Sequence, residues 1–451
     1  MITTILKWIV KITINVFFKR FKVNNKDIIP KEGPMVVVAN HPNTLMDPAT
    51  VGVTLRQKPH FLGKATLFES KFGNWLWSSL RGIPIYRRQD SKTGKVNNDD
   101  VFAACYKKLE EKGSILIFPE GVSIQERKLQ DIKTGAARIA LGAERKNGYK
   151  LGVKILVMGL NYSDPTRFRS DLLINVAPLI NVKDYYQLHQ EDEYAAVRAL
   201  TAAIEDALKA QMIDIETKEE DLLLTQIDEV YQSRLLKDLG WKATDQNQFI
   251  ATKGFKEALH HFNHKKSEQV HDLRVKLDSY FNNLGQLQLK DDLFEDSKHK
   301  RSILSDGIFR FLYLVLGFPI YLYGLINNYI PYIIPSKLAQ AVTKEEVYYA
   351  PIKMFSGLLT FTIFYTLQIV LMQVFGGLWW LTLIYAISLP LSAFFTLKYW
   401  QRILDTKDHW SLFSRFYQKD KLLHQLIAQR QEIITLLDAA KAEYLLEGAE
   451  E

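Results

Sequence analysis

Hydrophobic positions divide the chain into stretches of different period. Between residues 23 and 211, short apolar runs alternate with segments whose apolar residues recur every three or four positions. Such alternation is typical of an α/β domain, in which helices connect buried strands. The predicted strands are residues 35–39, 83–86, 114–118, 155–160 and 172–176, and the predicted helices are residues 99–112 and 134–145.

The first 22 residues are apolar but carry a periodic set of polar side chains. These recur every four positions and are Thr3, Lys7, Lys11, Asn15 and Lys19. This spacing predicts an amphipathic helix. Because charges interrupt the apolar run, the segment resembles an in-plane membrane anchor better than a span or a cleaved signal peptide. The alternative is a helix that packs against the protein core.

Residues 212–301 are charged, helix-prone and without strand runs, and they are predicted to form a helical subdomain. His260, His261 and His264 lie close together in this segment. They have no nearby cysteine or carboxylate at a recognised ligand spacing. We therefore interpret the three histidines as part of a solvated helix face and predict no metal site.

Two apolar segments follow, residues 355–375 and 378–397, and each has about the 20 residues that a helix needs to cross a bilayer. Gly376 and Gly377 join them, and tryptophans follow directly, as at a turn near the membrane interface. The pattern predicts a membrane helical hairpin.

An earlier apolar segment, residues 308–326, contains Arg310 and Pro319. If it spanned the bilayer, the basic segments before it and after the hairpin would lie on opposite sides, against the positive-inside tendency. We therefore predict a re-entrant or interfacial segment within a membrane region of residues 302–397. Residues 398–451 are predicted to form a C-terminal helical tail.

Composition adds two constraints on where the protein acts. A single cysteine, Cys105, permits no intrachain disulfide and suits a reducing compartment. The formal net charge of +8 suits either nucleic acid or an anionic membrane surface. The apolar segments favour the membrane, so we expect membrane lipids and no nucleic acid as partners, with the α/β domain on the cytoplasmic face.

A histidine and an aspartate follow the apolar run of residues 35–39. His41 stands at the predicted strand end, and Asp47 follows within two turns of chain. An imidazole is suited to remove a proton from a hydroxyl near neutral pH, and a carboxylate at its other nitrogen fixes the tautomer and stabilises the imidazolium. The pair therefore predicts a general base. The alternative is a strand-end histidine beside a helix-capping aspartate.

Two further strand ends carry polar residues. Glu120 lies between Pro119 and Gly121 in the loop that follows residues 114–118. Arg87 and Arg88 follow residues 83–86, and adjacent guanidinium groups are able to grip phosphate oxygens through paired hydrogen bonds. We expect the polar groups from these strand ends to converge on one reaction.

These blocks, in this order, resemble the glycerophospholipid acyltransferase family, which contains bacterial lysophosphatidate and glycerol-phosphate acyltransferases. The resemblance covers residues 30–178. It implies an α/β acyltransferase domain with a mixed sheet flanked by helices, here extended by a helical insertion and a C-terminal membrane helical hairpin. It also implies transfer of a fatty acyl group to a hydroxyl of glycerol-3-phosphate or 1-acyl-glycerol-3-phosphate.

The resemblance further implies a role for each block. His41 and Asp47 would be the catalytic pair. The residues that would bind substrate are Arg87, Arg88, Pro119, Glu120, Gly121, Lys64 and Lys133. The acyl donor would be a thioester of coenzyme A or of acyl carrier protein, and the acceptor a glycerol phosphate. No metal or organic cofactor is expected.

The spacing of the catalytic pair departs from the family pattern. Most members have four residues between the histidine and the aspartate, whereas five stand here. On a regular helix the extra residue would rotate the carboxylate by roughly 100°, unless a loop or bulge absorbs it. A branch that acylates glycerol-3-phosphate or dihydroxyacetone phosphate has a similar longer spacing, so the departure bears on the acceptor more than on the activity.

Other classes of function fit less well. A non-catalytic membrane lipid-binding protein that retains the acyltransferase fold is the main alternative, and the longer spacing is its support. A hydrolase is disfavoured because residues 121–125 lack the final glycine of a nucleophile elbow. A transporter is disfavoured because the apolar segments carry no acidic residue from which to build a substrate path.

Overall fold

The computed structural model describes residues 2–86, 98–295, 302–417 and 421–447. The chain divides into two compact units. The first, which we call the sheet unit, contains Met1–Asp214 and Pro335–Leu358. The second, which we call the helical unit, contains Ile215–Ile334 and Leu359–Glu451.

The described strands of the sheet unit form one sheet of eight strands in the order β1-β7-β6-β2-β5-β3-β4, with β8 paired to β6. Their bounds are β1 Arg20–Asn24, β2 Met35–Ala39, β3 His60–Lys64, β4 Gly82–Ile85, β5 Ser114–Ile117, β6 Lys154–Tyr162, β7 Asp171–Val176 and β8 Ile180–Asn181. β6, β2, β5, β3 and β4 run parallel, whereas β7 and β8 are antiparallel to β6. The predicted mixed sheet is confirmed.

Helices cover both faces of this sheet. Their bounds are α1 Ile2–Phe17, α2 Met46–Thr54, α3 Lys71–Ser79, α4 Asp99–Glu110, α5 Gly135–Lys146, α6 Tyr186–Glu191 and α7 Glu193–Gln211. Successive side chains of a strand point to opposite faces. Val36 and Val38 of β2 accordingly pack with α4, α5 and α7, while Val37 packs with α1 and α2. With helices on both sides, β2 is buried along its whole length.

Helix α1 has one buried face and one exposed face. Ile14 and Phe17 are buried in the core of the sheet unit. Trp8, which is 65% exposed, and Ile12 lie one turn apart on the other face. The Lys7 ammonium donates to the carbonyl of Leu55 at the C-terminal end of α2 (2.6 Å), so Lys7 is held by protein. The core-packing alternative therefore describes one face, and membrane anchoring by the other stays a prediction.

The helical unit contains a bundle that combines two separate parts of the sequence. α8 Lys218–Asp238, α9 Asp245–Lys265, α10 Ser267–Leu287 and α11 Asp292–Glu295 share one hydrophobic core with α15 Lys421–Glu447. Arg430 of α15 donates to both carboxylate oxygens of Asp291, at 2.7 and 2.8 Å. The predicted helical subdomain and the predicted C-terminal tail thus fold together, around an apolar cavity of about 600 Å³.

Among the described residues, three helices are long and apolar enough to cross a membrane. α12 Ser302–Val342, α13 Tyr349–Gly376 and α14 Trp379–Tyr417 contain the candidate spans Phe311–Val342, Glu346–Gly376 and Trp379–Leu412. The last two correspond to the predicted hairpin, whose turn lies at Gly377 with φ of 66°. The first extends well beyond residues 308–326, for which a re-entrant or interfacial location stays a prediction.

Polar side chains in the middle of α12 find partners inside the protein. Asn328 donates to Ser392 Oγ of α14 (3.2 Å) and accepts from the Tyr365 hydroxyl of α13 (2.6 Å). Asn327 accepts from the Tyr385 hydroxyl of α14 (2.7 Å). Such interhelical hydrogen bonds satisfy polar groups that lipid could not. The two asparagines are therefore compatible with α12 lying at membrane depth.

Candidate active site

His41 and Asp47 are in direct contact at the C-terminal end of β2. His41 Nδ1 lies 2.8 Å from Asp47 Oδ2. The Asp47 side chain is fully buried, whereas the His41 side chain retains 17% of its exposure. The ring also stacks on Phe118, with centroids 4.2 Å apart and planes at 14°. The ring is thus held in place by a carboxylate and an aromatic face, and the imidazole is the member of the pair that remains accessible.

Asp47 is itself held by two further donors. Its Oδ2 accepts from the Asn43 backbone N–H (2.7 Å), and its Oδ1 accepts from the Tyr162 hydroxyl (2.6 Å). Asp47 lies in the first turn of α2, where the helix dipole favours negative charge. Burial, followed by the nearby Asp47 charge, raises the pKa of Tyr162 well above its ordinary value, which keeps this hydroxyl a donor. These contacts fix the carboxylate as an acceptor for the imidazole.

A turn absorbs the extra residue between the catalytic pair. α2 begins only at Met46, so residues 42–45 are not helical. Within them, Thr44 adopts a left-handed backbone conformation with φ of 36°. The chain therefore returns Asp47 to His41 without the rotation that a continuous helix would impose.

Glu120 is bonded to the backbone of the catalytic histidine. β5 runs parallel to β2, so the loops after both strands meet at one edge of the sheet. Glu120 Oε1 accepts from the His41 backbone N–H (2.7 Å), and Oε2 accepts from the Gln130 N–H (3.2 Å). Burial raises the pKa of Glu120 to about 7, against the opposing effect of these two hydrogen bonds. Glu120 therefore positions the start of the His41 loop.

Gly121 and Lys133 lie against each other beside Glu120. Gly121 has φ of 70°, and a Cβ placed on it would come within 2.5 Å of Lys133 Nζ. The Lys133 backbone N–H donates to the Pro119 carbonyl (2.9 Å). Only glycine meets both requirements without displacing the ammonium. Four residues predicted to bind substrate, Pro119, Glu120, Gly121 and Lys133, thus share one loop cluster next to His41.

The remaining predicted residues are less fully placed. Lys64 ends β3, whose C-terminal end lies at the same edge of the sheet. β4 also ends at this edge, at Ile85. Arg87 and Arg88 lie outside the described residues, and their predicted contact with the acceptor phosphate stays a prediction.

Several site residues were missed by sequence reasoning. Tyr162, at the end of β6, and Asn43, between the catalytic pair, both donate to Asp47. Asn40, directly before His41, exchanges two hydrogen bonds with the backbone of Leu160 in β6 (3.1 and 2.7 Å). The signal was the same one that located His41, a polar residue at the end of a buried parallel strand.

Comparison with known proteins supports the assignment of the domain. Residues 20–160 match the acyltransferase family model. The chain is 21% identical to an uncharacterized acyltransferase of Schizosaccharomyces pombe, over 66% of this chain and 56% of that protein. It is 24% identical to glycerol-3-phosphate O-acyltransferase 1 of Saccharomyces cerevisiae, over 57% of this chain and 34% of that protein. The chain thus matches about half or less of the length of these relatives.

A solved structure is also similar to this chain. It is the 1-acyl-sn-glycerophosphate (LPA) acyltransferase PlsC from Thermotoga maritima, which is 18% identical, with a TM-score of 0.33 over 46% of this chain and 80% of that chain. The family match and the relatives, together with the ordered motifs at the sheet edge, place the chain in the glycerophospholipid acyltransferase family.

Proposed function

We propose that this protein transfers a fatty acyl group from an acyl thioester to a hydroxyl of glycerol-3-phosphate or 1-acyl-glycerol-3-phosphate, with His41 as the general base. The observation that carries the proposal is the 2.8 Å contact between His41 Nδ1 and Asp47 Oδ2. It leaves the second ring nitrogen of His41 to take a proton from the acceptor. A positioned base of this kind contributes about 10²- to 10⁴-fold to a rate.

The proposed reaction needs no covalent enzyme intermediate. His41 removes the proton from the acceptor hydroxyl as its oxygen attacks the thioester carbonyl, forming a new C–O bond. The tetrahedral intermediate then collapses, the C–S bond breaks, and the leaving thiolate takes the proton back from the imidazolium. Asp47 stabilises the imidazolium between these steps. Backbone N–H groups of the loop around Gly121 are the proposed donors to the oxyanion.

Positive charge at the same sheet edge supports a phosphate-bearing acceptor. The Lys133 ammonium lies against Gly121, in the loop that Glu120 links to the His41 backbone. We propose that Lys133, together with Arg87, Arg88 and Lys64, binds the acceptor phosphate through charge-assisted hydrogen bonds. Glycerol-3-phosphate is the acceptor to test first, because two of the relatives are named glycerol-3-phosphate O-acyltransferases.

Membrane association suits this reaction, since a long-chain acyl donor and the acylated product both partition into lipid. The candidate spans described above place the protein at a membrane. We propose that the sheet unit lies on the cytoplasmic face, where a lone thiol such as Cys105 stays reduced. The acyl donor is a thioester of coenzyme A or of acyl carrier protein, and neither a metal nor an organic cofactor is invoked.

The test is transfer by the purified full-length protein in phospholipid vesicles. Palmitoyl-coenzyme A and palmitoyl-acyl carrier protein are each offered with glycerol-3-phosphate and with 1-acyl-glycerol-3-phosphate, and the products are identified by mass. We expect product from at least one combination, and at least about a 10²-fold slower rate for His41→Ala. Equal rates for the two proteins would overturn the catalytic assignment.

Two further outcomes of this experiment have defined meanings. Release of free fatty acid at the same rate without acceptor would favour hydrolysis. Absence of transfer in every combination, with the protein folded and lipid-bound, would favour the non-catalytic alternative. The longer His41 to Asp47 spacing no longer supports that alternative, because the two side chains are in contact.

A further inference from the structure

A short segment of the chain lies against the loops that carry the catalytic pair and Glu120. Residues 343–348, between the end of α12 and the start of α13, form what we call the connecting segment. It belongs to the sheet unit, although it lies about 300 residues after His41 in the sequence. The family match at residues 20–160 does not include it.

The connecting segment accepts a hydrogen bond from each of two active-site loops. The Thr44 hydroxyl, in the turn between His41 and Asp47, donates to the Val347 carbonyl (3.1 Å). The Gln125 side-chain amide, in the loop that follows Glu120, donates to the Glu346 carbonyl (3.2 Å). Both acceptors are backbone atoms of one turn of 3-10 helix, Glu346–Tyr348. The segment therefore bridges the two loops that form the site.

Thr44 is the residue that needs such support. Its φ of 36° lies in the left-handed region, which a β-branched residue rarely adopts. Such a conformation persists where the surroundings over-determine it. Here the Thr44 N–H donates to Ser123 Oγ (2.8 Å), and its hydroxyl donates to Val347. The turn that absorbs the extra residue is thus held from two sides.

The connecting segment is itself firmly anchored in the sheet unit. Ala350 and Met354, in the first two turns of α13, are buried in the same hydrophobic cluster as Met46 and Val51 of α2. The Lys353 ammonium donates to the Thr166 carbonyl (3.0 Å). These contacts fix the acceptor for Thr44 relative to the helix that carries Asp47.

We infer that Thr44 is a positioning residue for the catalytic pair, and that the connecting segment is the part of the site that holds it. This inference rests on the proposed function. The first residues of a candidate membrane helix, Glu346–Gly376, thereby help to set the geometry of the general base. The extra residue in the His41 to Asp47 spacing and the connecting segment are two parts of one arrangement.

The test compares three variants in the vesicle assay. Thr44→Val removes only the hydroxyl and keeps the branched Cβ, Thr44→Ser keeps the hydroxyl, and Thr201→Val is the matched control. The Thr201 hydroxyl also donates to a backbone carbonyl, that of Val197 (2.7 Å), but within α7. We expect kcat to fall about 10-fold or more for Thr44→Val with KM changed less than about 2-fold, because misplacing a catalytic group acts on the chemical step.

The conservative variant and the pH profile separate positioning from general damage. Thr44→Ser and Thr201→Val are expected to keep kcat within about 2-fold to 3-fold of the wild type. The described titratable groups that contact His41 are Asp47, through the ring, and Glu120, through the backbone N–H. When the ring is held less well by Asp47, the imidazolium is less stabilised, so the acid limb of the kcat/KM profile should move to lower pH in Thr44→Val.

A second readout does not depend on turnover. The titration midpoint of the His41 ring is followed by NMR with labelled histidine, using His41→Ala for assignment, and the same downward shift is expected in Thr44→Val. An unchanged midpoint, or a kcat equal to that of Thr44→Ser, overturns the inference. Absence of transfer by the wild type overturns the proposed function instead, so the two failures are distinct.

Discussion

Two buried aspartates, one in each unit, have similar surroundings and different partners. Asp47 and Asp291 are both fully buried, and their cationic or titratable partners His41 and Arg430 retain 17% and 13% exposure. Each carboxylate also accepts from a tyrosine hydroxyl at 2.6 Å, from Tyr162 and Tyr280 respectively. Burial and hydrogen bonding therefore do not distinguish a catalytic carboxylate from a structural one.

The chemistry of the partner makes the difference. A guanidinium keeps its charge at every accessible pH, so the Asp291 to Arg430 pair is a permanent ion pair that joins α15 to the rest of the bundle. An imidazole gains and loses a proton near neutral pH, so the Asp47 to His41 pair can change charge during a reaction. The same carboxylate environment thus stabilises a fold in one unit and orients a base in the other.

The largest expected effect is that of Asp47→Asn on catalysis. The amide cannot stabilise the imidazolium or hold the correct tautomer, so we expect kcat to fall by roughly 10³-fold or more. The measurement is transfer rate per folded protein in vesicles, with folding checked by circular dichroism. A loss no larger than the loss of folded protein would mean that Asp47 is structural, like Asp291.

The next effect is the loss of stability in Asp291→Asn. Removing the charge leaves Arg430 buried without its counter-ion, which costs about 3 to 5 kcal/mol of unfolding free energy. Thermal unfolding is the measurement. Transfer by the folded fraction should stay within about 2-fold of the wild type.

A matched control lies in the same bundle. Asp438 pairs with Arg234 at a more exposed position, with both side chains about a third exposed or more. Asp438→Asn should cost no more than about 1 kcal/mol. Equal destabilisation by the two bundle variants would contradict the assigned role of burial.

Glu120 gives a pH-dependent effect of smaller size. Burial raises the pKa of this carboxyl from its ordinary 4.5 to about 7. The folded state therefore binds the proton more tightly than the unfolded state, so the stabilisation is fully present below pH 4.5 and is lost as pH rises through about 7. Glu120→Gln mimics the protonated form and should lack this loss, which is on the order of 3 kcal/mol. Parallel stability profiles for both proteins between pH 5 and about 8 would contradict it.

The smallest effect is expected for Tyr162→Phe. The variant removes one donor to Asp47 but leaves the Asn43 N–H and the His41 contact in place. Losing a hydrogen bond to a charged group costs about 1.5 to 3 kcal/mol, of which only the part felt in the transition state slows the reaction. We expect kcat to fall about 10-fold, measured alongside Asp47→Asn, and a loss as large as that of Asp47→Asn would rank the contacts wrongly.

Sequence patterns located the catalytic strand because its signal is local. β2 is an uninterrupted apolar run, and His41 and Asp47 follow it within a few positions. β1 and β3 were missed because Arg20, Lys22, His60 and Lys64 break the apolar pattern of these partly exposed strands. Exposed strands carry little hydrophobic signal, so only the pairing reveals them.

The remaining parts of the site depend on contacts between distant residues. Tyr162 reaches Asp47 across 115 positions, and Val347 reaches Thr44 across 303. Periodicity likewise showed that α15 has an apolar face, but not that α8 and α10 cover it. A pattern gives the face that is buried and leaves the identity of the partner open.

The most direct test of the account is a double-mutant cycle on His41 and Asp47, read as kcat in vesicles with His41→Ala, Asp47→Asn and the double variant. If the two residues act as one unit, removing the second after the first costs almost nothing, and the double variant should be about as slow as His41→Ala alone. Losses that multiply, with the double variant slower than either single variant by the full product, would contradict the claim that Asp47 acts through His41.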